Sequence, residues 1–86
     1  MNYIIHIKPG NRRTYTMQQN IKITKDQIEL LRPFMPKIDE YLKTMDAETF
    51  LREVDDAEIA ELDEQYNSTP TSRMIRKLYI EISEQN

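Results

Sequence analysis

The first twenty-four residues alternate apolar and polar positions in the manner of β-strands. Between Asn2 and Lys8 the odd positions are apolar, and the same parity returns in a second stretch that ends near Thr24. The apolar residues are Tyr3, Ile5, Ile7, Tyr15, Met17, Ile21 and Ile23. A period of two is typical of a strand with one buried face. The pattern therefore predicts an antiparallel β-hairpin that buries Tyr3, Ile5, Ile7, Tyr15 and Met17 on one face.

The predicted turn of this hairpin is either residues 9–11 or a loop of five residues. Pro9 presets a turn-type φ, and Gly10 tolerates a positive φ. Directly opposed residues of an antiparallel pair lie on one face, so odd positions face odd positions only across a loop of odd length. Gln19 interrupts the apolar positions and marks either a bulge or a break between two short strands.

From Thr24 onward the apolar spacing changes to the three-and-four pattern of amphipathic helices. Thr24 and Gln27 have the spacing of a capping box. The apolar stripe that follows is Ile28, Leu31, Met35, Ile38, Leu42 and Met45. Pro33 breaks this stripe because it lacks an N–H and biases its neighbour away from helix. We predict one helix over 25–32 and a second over about 36–45.

The next segment predicts two further short helices and a turn. Asp46 is the predicted N-cap of a third helix, and Asp55 or Asp56 that of a fourth, because aspartate caps orphan N–H groups well. The core-facing residues of these helices would be Phe50, Leu51, Val54, Leu62 and Tyr66. Residues 67–70 form a turn cluster.

The C-terminal segment, residues 71–84, is compatible with two types of secondary structure. Its apolar residues make a helical face, but Leu78, Ile80 and Ile82 also alternate as in a strand; Ser72 as an N-cap favours the helix. Residues 1–86 are therefore predicted to be a single α+β domain with an N-terminal antiparallel β-hairpin followed by three to five short helices. Its regions are a basic hairpin (1–24), an acidic helical region (25–66) and a C-terminal helix or strand (71–84).

Composition disfavours catalysis. The chain has no Cys, one His and one Gly, which excludes thiolate metal sites, cysteine nucleophiles and a glycine-rich phosphate loop. His6 is predicted on the outer face of the hairpin, and the carboxylates are strung along helix faces rather than gathered in a cleft. We expect no enzymatic activity, no metal and no cofactor.

No apolar run is long enough to span a membrane, and Met1 opens directly into a strand pattern, so we expect a cytoplasmic protein without a membrane partner.

Charge is distributed unevenly. Residues 1–25 carry five basic residues and no acid, whereas residues 26–64 carry thirteen acids against four bases. The densest acidic stretch spans 48–64, with Arg52 its only base, and its members are Glu48, Glu53, Asp55, Asp56, Glu58, Glu61, Asp63 and Glu64. One interpretation is that these side chains are simply solvated. The other is that they bind a basic, nucleic-acid-binding surface of a protein partner in place of phosphates.

Three functional hypotheses follow. The first is a non-enzymatic binding protein that uses this acidic stretch, by analogy with the small inhibitors that phages and mobile elements encode. The second is a DNA-binding regulator, because 57–62 and 72–78 have the outline of a helix-turn-helix, although its connection is long and its first helix acidic. Its contacts would be Arg12, Arg13, Arg73, Arg76 and Lys77. The third is an accessory subunit whose hairpin joins a partner's sheet edge.

Apolar surface also bears on assembly. A chain of 86 residues buries a small core, and the tripeptide 34–36 adds apolar surface that one small core hides poorly. We expect a homodimer or a complex with a partner.

Overall fold

The computed structural model describes residues 15–18 and 21–86. Its elements, in chain order, are β1 (Tyr15–Gln18), β2 (Ile21–Thr24), α1 (Lys25–Leu31), α2 (Ile38–Thr44), α3 (Ala47–Ala60) and α4 (Pro70–Gln85). These residues form a mixed, helix-rich domain. The first strand of the predicted hairpin, its turn at 9–11 and His6 lie outside the described residues.

The strand β1 pairs antiparallel with β2, a pairing that the sequence pattern did not predict. Tyr15 stands opposite Thr24, and Met17 opposite Lys22. Two residues separate the strands, and a loop of even length places odd positions opposite even ones. This pair is not the predicted hairpin, whose first strand lies outside the described residues, so the burial of Tyr15 and Met17 stays a prediction.

The strand β2 runs directly into α1 through the predicted capping box. Thr24 Oγ1 accepts a hydrogen bond from the Gln27 N–H at 3.1 Å, and Gln27 Oε1 accepts one from the Thr24 N–H at 3.0 Å. The two bonds satisfy N–H groups that a helix start leaves without partners. This connection positions the buried side chains of Ile21 and Ile23 beside those of α1.

The apolar stripe of α1 and α2 forms the middle of the core. All of its members except the partly buried Met45 are buried: Ile28, Leu31, Met35, Ile38 and Leu42. The break at Pro33 is confirmed, since α1 ends at Leu31 and α2 begins at Ile38. The expected apolar exposure of 34–36 is wrong for Met35, which is buried, and Phe34 packs partly against the core.

The helix α3 continues through the point where two helices were expected. Asp46 is its N-cap and accepts a hydrogen bond from the Thr49 N–H at 2.8 Å. Asp55 and Asp56 lie in the helix interior, so their predicted capping role is wrong. No proline or glycine interrupts 47–60, and Phe50 and Val54 are spaced to share one buried face.

The C-terminal segment is a helix, and its cap differs from the predicted one. Thr69 is the N-cap of α4, Pro70 occupies the first turn, and Ser72 is the third helical residue of a second capping box. Proline favours the first helical position because its missing N–H is unneeded there. The buried face of α4 carries Ile75, Leu78 and Ile82, and the most extensive contact between described elements joins α4 to α3. No helix in 21–86 is both long and apolar enough to cross a membrane.

Candidate functional site: the acidic face of α3

The structure divides the eight predicted acidic residues between two elements. Glu48, Glu53, Asp55, Asp56 and Glu58 lie on α3. Glu61, Asp63 and Glu64 follow in the segment that leads to α4. The division matters because the side chains have different partners, and only part of the set is free to meet another molecule.

Two of the eight carboxylates bind an arginine of α4. Arg76 lies with Nε 3.2 Å from Glu58 Oε1 and with Nη2 3.8 Å from Asp55 Oδ1. The Glu58 side chain is only 14 % exposed, so it faces the helix contact and not the solvent. The packing of α3 against α4 therefore places both Asp55 and Glu58 beside Arg76.

Two further carboxylates have local partners. Glu48 lies 3.5 Å from Arg52 Nη2 one helical turn away, and both side chains are mostly exposed. Asp63 Oδ1 accepts hydrogen bonds from the N–H groups of Gln65 and Asn67, at 2.9 Å and 2.8 Å. The Glu48–Arg52 pair contributes little stability, whereas Asp63 shapes the turn after α3.

The side chains of the other four carboxylates have neither an ion pair nor a hydrogen bond to another described residue. They lie on the second half of α3 and in the turn after it, and we call them the acidic surface: Glu53, Asp56, Glu61 and Glu64. Asp56 and Glu64 are exposed, and the other two are half-buried. Glu53 and Asp56 are three residues apart on a helix, so their side chains are neighbours.

The turn after α3, which includes Glu61 and Glu64, also contains Tyr66, and the predicted burial of Tyr66 is wrong. Tyr66 was expected in the core, but its side chain is 79 % exposed and its φ is 63°. The N–H of Tyr66 donates to the Asp63 carbonyl at 2.9 Å. The helix ends at Ala60, so the helical spacing that pointed Tyr66 inward does not apply to it.

The basic residues of the DNA-binding hypothesis are not equivalent. Arg73 and Lys77 are exposed on α4, and Arg73 Nη1 donates to Ser68 Oγ at 3.2 Å. Arg76 is held by Asp55 and Glu58, and its guanidinium lies 5.2 Å from the centre of the Tyr79 ring. The connection from α3 to α4 spans 61–69, far longer than a helix-turn-helix turn. Arg12 and Arg13 lie outside the described residues.

Arg32, which follows α1, forms ion pairs with one carboxylate of α1 and one of α2. The sequence did not predict this pair of contacts. Arg32 lies 2.7 Å from Asp39 and 3.3 Å from Glu29. The hydrogen bond from Arg32 holds the pKa of Asp39 below its usual range, and those to Asp39 and Glu29 raise the pKa of Arg32. The spacing of Glu29 and Arg32 was a usable signal. The reach to Asp39 depends on how the chain turns at Pro33, which spacing does not show.

The outer edge of β2 is also occupied. The N–H of Lys22 donates to Asn86 Oδ1 at 2.7 Å, and the Lys22 carbonyl accepts from Asn86 Nδ2 at 2.9 Å and from Gln85 Nε2 at 3.1 Å. The end of α4 therefore uses the main-chain groups that a partner strand would need at this position.

Comparison with known proteins gives no relative. No protein-family model, curated protein or solved structure matches the chain significantly. Within 15–18 and 21–86, no three His, Asp or Glu side chains are grouped so that they could hold a metal ion.

Proposed function

We propose that this protein is a small, non-enzymatic binding protein that docks its acidic surface on a basic surface of a protein partner. The partner surface is of the kind that nucleic-acid-binding proteins use for phosphates, so docking would inhibit nucleic-acid binding by the partner. The acidic surface remains the group of Glu53, Asp56, Glu61 and Glu64.

One observation carries the proposal: the two arginines beside the carboxylates of α3 pair with only three of them. Arg76 is held between Asp55 and Glu58, and Arg52 lies beside Glu48. Residues 46–64 contain nine carboxylates and a single cation. Internal pairing therefore neutralises only a minority of them, and the remaining charge has one sign.

A surface of one sign acts mainly on the rate and specificity of association. Complementary charges steer the encounter and exclude partners of like charge. Exposed carboxylates keep their solvation until the partner arrives, so they lower the stability of the free protein only through mutual repulsion. A basic partner would relieve that repulsion, so the unpaired carboxylates of the free protein favour association with such a partner.

The experiment is a pull-down with the full chain in three parallel arms: untreated lysate, nuclease-treated lysate, and lysate containing heparin as a polyanion competitor. We expect capture of a nucleic-acid-binding protein that survives nuclease and is eluted by heparin. Capture that requires intact nucleic acid, or that heparin does not affect, would contradict the proposal.

A second candidate is DNA binding through α4, which the exposure of Arg73 and Lys77 favours. The paired state of Arg76 and the carboxylates beside it weaken this candidate, because they repel phosphates. A gel-shift assay with random-sequence duplex DNA separates the two. A shift that Arg73→Glu/Lys77→Glu abolishes would favour DNA binding over the first proposal.

The third hypothesis, strand addition to a partner sheet, is limited by the C-terminal amides. They occupy the Lys22 position on the outer edge of β2. Strand addition would therefore have to use the β1 side of the pair.

A further inference from the structure

A cleft of about 250 Å³ opens between α1 and the C-terminal half of α4. Its walls come from Asp26, Gln27 and Leu30 on the first helix and from Leu78, Glu81 and Gln85 on the second. None of these residues belongs to the acidic surface. The cleft is therefore a separate feature, and its chemistry can be considered independently of the proposed function.

The two glutamine amides at the base of the cleft use all of their N–H groups internally. Gln27 Nε2 donates to Gln85 Oε1 at 2.8 Å and to Glu81 Oε1 at 3.3 Å. Gln85 Nε2 donates to Gln27 Oε1 at 3.0 Å and to the Lys22 carbonyl at 3.1 Å. A primary amide has two N–H donors. These side chains therefore fix the base of the cleft but have no donor left for a ligand.

The groups that remain available are acceptors and apolar walls. The carboxylates of Asp26 and Glu81 have no ion pair with another residue of 21–86. Leu30 is 48 % exposed and Leu78 is buried, and both line the cleft, so it also has apolar walls. A complementary ligand carries a cationic donor at one end and an aliphatic stem along its length.

We propose that this cleft takes the side chain of a lysine presented by a partner protein. The stem would lie against Leu30 and Leu78, with the ammonium group between Asp26 and Glu81. Lysine combines an apolar stem with three donors and no acceptor. Arginine fits less well because its planar fork pairs best with both oxygens of one carboxylate, and here the two carboxylates stand on different helices.

The test is an NMR titration of the full chain with a blocked Ala-Ala-Lys-Ala-Ala peptide. The matched probe is the same peptide with an Nε-acetylated lysine, which keeps the stem and removes the charge. We expect saturable shifts of the methyl groups of Leu30 and Leu78 and of the side-chain amide of Gln27 with the charged peptide only. Asp26→Asn/Glu81→Gln should weaken binding about tenfold, as expected for two partly exposed ion pairs.

The control variant Glu40→Gln/Glu48→Gln removes two exposed carboxylates that do not line the cleft and should bind like the parent. Three results would overturn the proposal: no saturable shift, equal shifts with the acetylated peptide, or unchanged binding by Asp26→Asn/Glu81→Gln. A fourth is binding by Lys8→Gln/Arg12→Gln/Arg13→Gln when the parent does not bind. That result would mean that basic residues of the chain itself occupy the cleft.

Discussion

The side-chain amide of Asn86 pairs with the main chain of Lys22 as a neighbouring β-strand would. Its Oδ1 accepts from the Lys22 N–H at 2.7 Å, and its Nδ2 donates to the Lys22 carbonyl at 2.9 Å. A second bond from Nδ2 to the Ile82 carbonyl, at 2.7 Å, holds the amide on the end of α4. The pair joins residues 64 positions apart and satisfies one position of an edge strand.

Asn86→Asp should weaken this contact because a carboxylate accepts but does not donate, and it would face the Lys22 carbonyl. We expect a loss of about 1 kcal/mol in the free energy of unfolding, measured by urea denaturation, since both groups are partly hydrated. Asn86→Ala also removes the oxygen that accepts from the Lys22 N–H, so native-state hydrogen exchange of that N–H should be faster in Asn86→Ala. Unchanged exchange at Lys22 in Asn86→Ala would show that the amide pair contributes no protection.

Arg76 and Glu58 should be energetically coupled across the α3–α4 contact. A double-mutant cycle with Arg76→Gln and Glu58→Gln isolates the pair from the other effects of each substitution. We expect a coupling of about 0.5–1 kcal/mol, because the Arg76 side chain is half exposed and solvent screens part of the attraction. A coupling indistinguishable from zero would mean that Arg76 is free for an external ligand, which would strengthen the DNA-binding candidate.

Local features of the sequence were predictable, and contacts between distant segments were not. The capping box at Thr24 and the stripe from Ile28 to Leu42 depend on spacing within one or two helical turns, and both are confirmed. The pairing of Arg76 with Glu58 depends on how two helices pack, which composition does not encode. The acidic stretch was visible as a run of charge, but the separation of paired from unpaired carboxylates needed the fold.

Two errors came from local ambiguity. Asp55 and Asp56 are good cap residues, but the surrounding segment is equally helical, and the packing of Phe50 and Val54 favours one continuous helix. The sequence predicts Ser72 as the N-cap of α4, whereas Thr69 is the N-cap and Pro70 begins the helix. Sequence spacing alone allows both starts.

Thr69 links the end of α3 to the start of α4, so its hydroxyl should contribute to stability. Oγ1 accepts from the Ser72 N–H at 3.0 Å and donates to the Glu61 carbonyl at 2.7 Å. Thr69→Ala should lower the free energy of unfolding by about 1–2 kcal/mol, whereas Thr69→Ser keeps the hydroxyl and should lose less than half of that. Equal losses in the two variants, measured by urea denaturation, would exclude the cap as the cause.

Stability should fall in acid partly through Asp46. The hydrogen bond from the Thr49 N–H holds the pKa of Asp46 below its ordinary value of 3.8. A carboxyl with a lowered folded-state pKa stabilises the fold fully above its unfolded-state pKa, and this stabilisation is lost as the pH falls from there through the folded-state value. Asp46→Asn caps a helix equally well but does not titrate.

We therefore expect the unfolding free energy of the parent protein to decline more steeply than that of Asp46→Asn below about pH 4. Urea denaturation at a series of pH values measures both slopes. Parallel curves for the two proteins would show that Asp46 does not contribute to acid sensitivity.

The acidic surface is tested most directly by comparing two variants with the same net charge. Asp56→Lys/Glu64→Lys reverses two exposed carboxylates of that surface, and Glu40→Lys/Glu84→Lys reverses two exposed carboxylates elsewhere. The measurement is the affinity of each variant for the heparin-elutable partner, at low and at high salt. We predict that the first variant loses binding, that the second binds nearly as well as the parent, and that salt weakens the parent complex because screening shortens the range of the attraction. Equal binding by the two variants would contradict the account.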